Sequence, residues 1–416
     1  MASWCDGYDP ALLVDMLSKS RVIGTDGAVA FHGFDKVDYL LVVESMLRFN
    51  HELPRSERAK IVRKAVSVTD PQKVLSSKSV LTAVSKLEAA YLALPKKRFY
   101  LITSISLCAP PNALQLRTGA THTRSGVSFP PKLSLARQEL IDEARDSIVG
   151  DLPTSYASVK VSVQARSICE AADVALSELD AWRGVCNLWV NRSTTWRRSA
   201  LPRKPVNAIV LGPIHSLHDN MLALATQTWW YDTQYRQPVS LWGNTTKLSE
   251  MLAWAKKFQL KLGRVPYKTE MTSAIIRYCR ALDSPDWNGS FLQLWSVLEL
   301  LTDTGNEAYT VTVRRSAFHY KDNAYATQLL RHLRDCRNSA VHAGHESDEI
   351  ERLLYQLKRF VEDILQFHVG RAGQFAGLRE AAEFMDLPSD PTTLATSIAS
   401  HAAKTKLLRK AEKYLG

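Results

Sequence analysis

Between Arg334 and Gly344 the chain reads R-D-C-R-N-S-A-V-H-A-G, and these residue types invite a chemical reading. Arg337 offers a guanidinium that can hold a phosphate. His342 offers an imidazole whose ordinary pKa of about 6.5 lets it move protons near neutrality. Asn338, beside the arginine, can orient the histidine or the phosphate. An arginine, a polar residue and a histidine at this spacing could cut a phosphodiester. They could equally form a polar helix end, with Arg337 paired to an acid on a neighbouring helix and His342 capping it. Spacing alone does not decide, because the same Arg-x4-His arrangement recurs at Arg117–His122 and at Arg314–His319. Context has to choose among the three.

The elements that would position the triplet are helical. From about residue 267 the apolar residues recur at helical spacing. Met271, Ile275, Cys279 and Leu282 make one stripe, and F-L-Q-L-W-S-V-L-E-L-L is apolar on most sides, as a buried helix should be. A third helix near 323–343 uses Leu329, Leu330, Leu333, Cys336 and Val341, and Gly344 suits its end. Ser347 can cap a fourth, with Asp348 and Glu349 in its first turn. That helix stripes Ile350, Leu353, Leu354, Leu357, Val361, Ile364, Leu365 and His368. Four helices with short connections make a bundle over 266–370, and a tail over 371–416 adds two more. Arg117–His122 falls in a Gly- and Thr-rich loop, and Arg314–His319 follows T-V-T-V. Only Arg337–His342 lies where two amphipathic helices meet. Five residues turn a helix by about 500°, which leaves these two side chains roughly 140° apart. Two copies facing each other across a two-fold axis could combine both pairs in one pocket.

Upstream the period changes. Residues 1–95 read as mostly helical. Over 96–265 the pattern is mixed α/β: R-F-Y-L-I-T-S-I-S-L-C is a strand ended by P-P-N, and Val159, Val161, Val163 and Ala165 alternate with polar residues in a second. A long helix from Ile168 to Leu188 follows, and N-A-I-V-L and A-T-Q-T-W-W-Y read as further strands. The fold class expected is α+β, predominantly α.

With these elements in place, R-N-S-A-V-H-A-G resembles the R-x4–6-H motif of HEPN domains, in which the residue after Arg is typically Asn, Asp or His. W-S-V-L-E-L-L, with Trp295 and Glu299, resembles the W-x-x-x-E helix of the Apea-like HEPN branch. R-G-V-C-N-L-W-V-N (183–191) and L-G-P-I-H-S-L-H (211–218) are similar to segments that precede the HEPN unit in such proteins. The motif-bearing likeness covers about residues 267–370, and residues 1–95 resemble no family. The resemblance implies a homodimeric, metal-independent endoribonuclease of prokaryotic anti-phage defence (abortive infection), with the α/β region sensing or regulating. RNA, with tRNA loops the leading candidate, would be cut through its own 2′-hydroxyl to leave a 2′,3′-cyclic phosphate. His342 would move protons, Arg337 would hold the phosphate, and Asn338 would orient the histidine or the phosphate. A phage-derived or nucleotide trigger is implied as well. The alternative is a catalytically silent HEPN scaffold that binds RNA or a partner.

Glu299, an acid among leucines, either pairs with an active-site arginine or sits on an exposed edge. Arg192, Arg197, Arg198, Arg203 and Lys204 lie beside Trp189 and Trp196, a mixture suited to stacking on bases and neutralising phosphates, though a solvated loop over a core tryptophan also fits. No cofactor and no metal are expected: no carboxylate or histidine cluster stands out, and His215 and His218 read as a loop pair. A nucleotide-sensing α/β module is disfavoured by the lack of a G-x-G-x-x-G or G-x-x-x-x-G-K-[ST] run.

The 416 residues allow two or three domains, and a 45% hydrophobic, 9% aromatic composition is that of a globular chain. A formal charge of +11 favours polyanionic partners. Six scattered cysteines without a C-x-x-C pair fit reduced thiols. No apolar stretch approaches the roughly 18 to 20 residues of a membrane span, and the N-terminus lacks the order of a signal peptide. A cytoplasmic protein with no membrane contact is the expectation.

Overall fold

The computed structural model describes residues 2–23, 29–31, 36–68, 75–107, 126–130, 134–147, 156–192, 205–227, 230–231, 245–305, 309–343 and 349–416. Its class is α+β and mainly helical. The first part holds β1 (Ser3–Trp4), α1 (Pro10–Ser20), β2 (Arg21–Ile23), β3 (Val29–Phe31), α2 (Lys36–Met46), β4 (Leu47–Arg48), α3 (Arg55–Val68) and α4 (Ser77–Leu92), with β1 paired to β4 and β2 to β3. Its helices start where polar caps allow. Asp9 accepts from Ala11 N ahead of Pro10, and Ser76 forms a capping box with Ser79. Their apolar faces close a core of their own around Leu17, Val43, Val62, Ala65, Val80 and Val84.

The second part contains β5 (Lys97–Ile105), β6 (Val127–Ser128), α5 (Leu135–Ser147), β7 (Ala157–Ala165), α6 (Ile168–Asn191), β8 (Ile214–His218), β9 (Trp230–Tyr231) and α7 (Thr245–Leu262). The strands form one antiparallel sheet in the order β6-β7-β5-β8-β9. Leu101 at its centre lies opposite Val161 on one side and Leu217 on the other. The alternation seen in the sequence is the alternation of faces: Val159, Val161, Val163 and Ala165 all turn inward, and α6 packs over them.

Among the described residues, the regular elements of the third part are all helices: α8 (Lys268–Asp283), α9 (Trp287–Leu301), α10 (Tyr309–Ala317), α11 (Asn323–Ala343), α12 (Ile350–Gly370), α13 (Leu378–Met385) and α14 (Pro391–Leu415). α9 is the central rod, packed chiefly on α8 and α12, while α11 leans on α10 and touches α9 and α12. The four expected helices are present, with the extra α10 between the second and third. Ser347, expected to cap α12, lies outside the described residues, and Glu349 at the cap position makes no side-chain cap bond.

One cluster of buried apolar side chains runs from Phe99 through Leu179 and Met271 to Leu365 and Ala381. The expected units 96–265 and 266–370 therefore share a core. The seam is α6 against α8, and it depends on Gly184: a Cβ there would meet Ile275 Cγ2 at 2.7 Å and the Ile275 carbonyl oxygen at 2.9 Å. Helix α14 shares no core, since every residue from Pro391 to Leu415 is at least partly exposed. No helix among the described residues is long and apolar enough to cross a membrane.

One expected strand is corrected. N-A-I-V-L, residues 207–211, is irregular apart from a single bridge between Leu211 and Ile105. Its backbone is held by a mixture of bonds instead of a regular ladder: Ile209 N donates to Asn187 Oδ1 at 3.0 Å and Val210 N to Ser106 Oγ at 3.0 Å, while Asn207 N donates to the Leu282 carbonyl at 3.1 Å and Ser106 N to the Val210 carbonyl at 3.0 Å. The strand begins three residues later, at Ile214, so His215 and His218 belong to a sheet and not to a loop. Among the described residues of A-T-Q-T-W-W-Y, Trp230–Tyr231 is strand and Ala225–Gln227 is not.

Candidate active site and the polar network behind it

Arg337 and Asn338 stand in the C-terminal part of α11, both half-buried. Arg337 Nη1 donates to Asn338 Oδ1 at 3.4 Å, so the two polar side chains lie together on the helix. The backbone of His342 continues the same helix, which keeps its separation from Arg337 near 140° about the axis. The side chain of His342 lies outside the described residues. Cys336, on the same segment, is half-buried, and its thiol is pushed up by burial and by Asp335 beside it.

Glu299 has a different partner from the one its sequence position suggested. Trp295 Nε1 donates to Glu299 Oε1 at 2.8 Å, one helical turn apart. The W-x-x-x-E pattern is thus a bond within α9: the buried indole satisfies its N–H on a half-buried carboxylate, and the acid needs no arginine for that.

The competing Arg-x4-His matches sort out differently. Arg117–His122 lies outside the described residues. Arg314 is tied to Asp386 at 2.6 Å, and His319 lies against Phe367 with ring centroids 4.3 Å apart. Burial lowers the His319 pKa to about 4, helped by His368 and Arg371. That pair fastens α13 to the bundle and holds no reactive proton near neutrality. Of the basic stretch after α6, Arg192 is exposed at the helix end and Trp189 packs half-buried on the core. Arg197, Arg198, Arg203 and Lys204 lie outside the described residues.

Sequence reasoning missed the largest polar feature. Arg183, fully buried, donates to Asp180 Oδ1 at 2.5 Å, Asp283 Oδ2 at 2.8 Å and the Ile209 carbonyl at 3.0 Å. Asn207 Nδ2 donates to Asp283 Oδ1 and to the Cys279 carbonyl, each at 2.7 Å. Asn191 Nδ2 reaches Asn207 Oδ1 at 3.0 Å and Tyr278 Oη at 2.9 Å. The Tyr278 hydroxyl then donates to Glu362 Oε1 at 2.6 Å, where Lys358 Nζ also arrives at 3.1 Å. The network bonds α6, the 207–211 segment, α8 and α12 into one unit. Its sequence signal was legible: Arg183, Asn187 and Asn191 recur every four residues on a helix otherwise rich in Leu, Val and Trp.

Asp180, Cys279 and Asp283 form the one group among the described residues close enough to hold a metal ion. The Arg183 guanidinium occupies both carboxylates, and burial pushes the Cys279 thiol well up. The donor set is that of a neutralised ion network rather than a metal centre.

No protein family, curated protein or solved structure matched the chain in comparisons.

Proposed function

We propose that the chain is a metal-independent endoribonuclease of the HEPN type, acting as a homodimer in prokaryotic defence. The observation that carries the reading is the half-buried Arg337–Asn338 pair in α11, next to the rod helix with its Trp295–Glu299 bond, together with the His342 spacing. His342 takes the proton of an RNA 2′-hydroxyl as that oxygen attacks the adjacent phosphorus. Arg337 holds the non-bridging oxygens as charge grows on them, and Asn338 fixes the guanidinium. The P–O5′ bond breaks, a proton goes to the leaving oxygen, and the products carry a 2′,3′-cyclic phosphate and a 5′-hydroxyl. Because one helix splays the two side chains by roughly 140°, the working pocket takes residues from both protomers of the dimer. tRNA loops are the substrate we favour, and residues 1–265 restrain or direct the cut.

Expression in a bacterial host tests the reading. Wild-type protein is expected to arrest growth, and His342→Ala protein at the same level is not. Equal growth, or equal arrest, contradicts it. The silent-scaffold reading is the second one, favoured by α14: an exposed helix carrying Lys404, Lys406, Arg409, Lys410 and Lys413 suits contact with a polyanion without cleavage.

A further inference from the structure

Three arginines among the described residues are almost wholly buried: Arg137, Arg183 and Arg315, at 3%, 0% and 2% exposure. A buried guanidinium cannot shed its charge, so the fold must compensate it. For Arg183 it does so with Asp180 and Asp283, and for Arg315 with Asp386 at 2.8 Å. Arg137 is different. Its Nη1 donates to Ser216 Oγ at 2.9 Å and its Nη2 to the Ile214 carbonyl at 2.9 Å. Both acceptors are neutral. Its Nε, like that of Arg183, has no partner; the difference is that no carboxylate among the described residues meets Arg137.

The surroundings make this worse for a lone cation. Arg137 is the third residue of α5, inside the positive end of the helix dipole. Ser216 and His218, two apart on β8, share the sheet face toward it, and both are buried. The hydrogen-bond directions are set by chemistry. The Leu222 carbonyl can only accept, so His218 Nδ1 donates to it, at 3.0 Å, and His218 Nε2 accepts. The Ser216 hydroxyl therefore donates to His218 Nε2, at 2.9 Å, and its oxygen accepts from Arg137. Among the described residues, these polar groups hold the guanidinium in place and none neutralises it. Burial, with Arg137 adding to it, also holds His218 below the usual histidine range.

We infer that the buried guanidinium of Arg137, where α5 meets β8, anchors a binding site for a phosphoryl oxyanion, with Ser216 and His218 as the residues that position it. A phosphate supplies the missing charge and an acceptor for the idle Nε–H, and guanidinium is the side-chain group that matches its oxygens. The source is either free phosphate or the phosphate of a nucleotide, which gives the α/β unit a ligand of its own.

The test uses the full chain, with His342→Ala in parallel so that its outcome does not depend on ribonuclease activity. Inorganic phosphate and AMP are titrated by calorimetry against a chloride control of matched ionic strength, and melting temperatures are followed on wild type and Arg137→Met. Saturable binding to wild type is expected, with a melting temperature that climbs with the logarithm of ligand concentration. Tighter AMP binding identifies a nucleotide phosphate, and equal binding a free one. Arg137→Met is expected to lose the response while melting, without anion, at or above wild type, because the uncompensated cation is gone. No saturable binding, a chloride response as large as that to phosphate, or an unaltered response in the variant overturns the proposal. So does an Arg137→Met protein that fails to fold without anion, which would assign the arginine a purely structural role.

Discussion

Replacing Arg183 by Met asks whether the α/β unit and the helical bundle are locked together by the buried ion network. The substitution keeps a long side chain in the space and removes the donors to Asp180, Asp283 and the Ile209 carbonyl. Breaking a buried ion pair from one side costs about 3–5 kcal/mol. The lower end applies here. Asp180 keeps Arg280 Nε at 2.7 Å, and Asp283 keeps Asn207 Nδ2 at 2.7 Å, so neither acid is stranded completely and the expected loss is about 3 kcal/mol. Burial already pushes the Asp283 carboxyl up against the pull of Arg183. Without the arginine it rises further, the folded protein binds more protons than the unfolded chain, and the loss shrinks as pH falls. Urea unfolding followed by near-ultraviolet circular dichroism at about pH 7 and about pH 5 measures both effects. A loss under about 1 kcal/mol, or one that does not change with pH, refutes the argument that this network carries the seam.

Other consequences are as direct. His215, His319 and His368 are each lowered to about 4, chiefly by burial; their neutral forms favour the fold, so stability is full above the unfolded value of about 6.5 and falls toward pH 4 by up to about 3 kcal/mol per histidine. A denaturation midpoint flat across that window would refute the assignment. Gly184→Ala drives a methyl into Ile275 and is expected to cost about 1–3 kcal/mol, read as a lowered urea midpoint; an unchanged midpoint would mean that α6 and α8 are less tightly apposed than 2.7 Å implies. Glu299→Ala removes the acceptor of the Trp295 indole and should cost about 1–3 kcal/mol, while Glu299→Gln keeps an acceptor oxygen and should retain both stability and RNA cleavage. Cleavage lost in the Gln variant with its stability intact would make Glu299 part of the chemistry.

The elements legible in the sequence were those whose period is set by one buried face. Val159 to Ala165 alternate because α6 covers one side of β7, and Ile350 to His368 stripe because α12 buries one side against α9. The 207–211 segment misled for the opposite reason. Its apolar run is buried, but its backbone bonds go to Asn187, Ser106 and Leu282, far along the chain, and no local pattern encodes that. T-V-T-V looks extended by propensity and is helical in α10, where Thr312 and Val313 are buried against the bundle. At the candidate active site, the helix, the bundle context and the Arg337–Asn338 neighbourhood were legible, whereas the partner of Glu299 was not, because an acid on an apolar helix does not announce which neighbour holds it. Arg137 left no trace in the sequence at all. A-R-Q-E-L looks like the solvent face of an amphipathic helix, and only the tertiary fold turns that arginine under the sheet.

The most direct test of the central claim is to incubate purified protein with total RNA in excess EDTA and determine the chemistry of the new ends. Wild type is expected to cut, leaving 2′,3′-cyclic phosphate and 5′-hydroxyl termini, and Arg337→Ala and His342→Ala are each expected to abolish the cut while remaining folded. Intact RNA, 5′-phosphate ends, a requirement for Mg²⁺, or undiminished cleavage by either variant would contradict it.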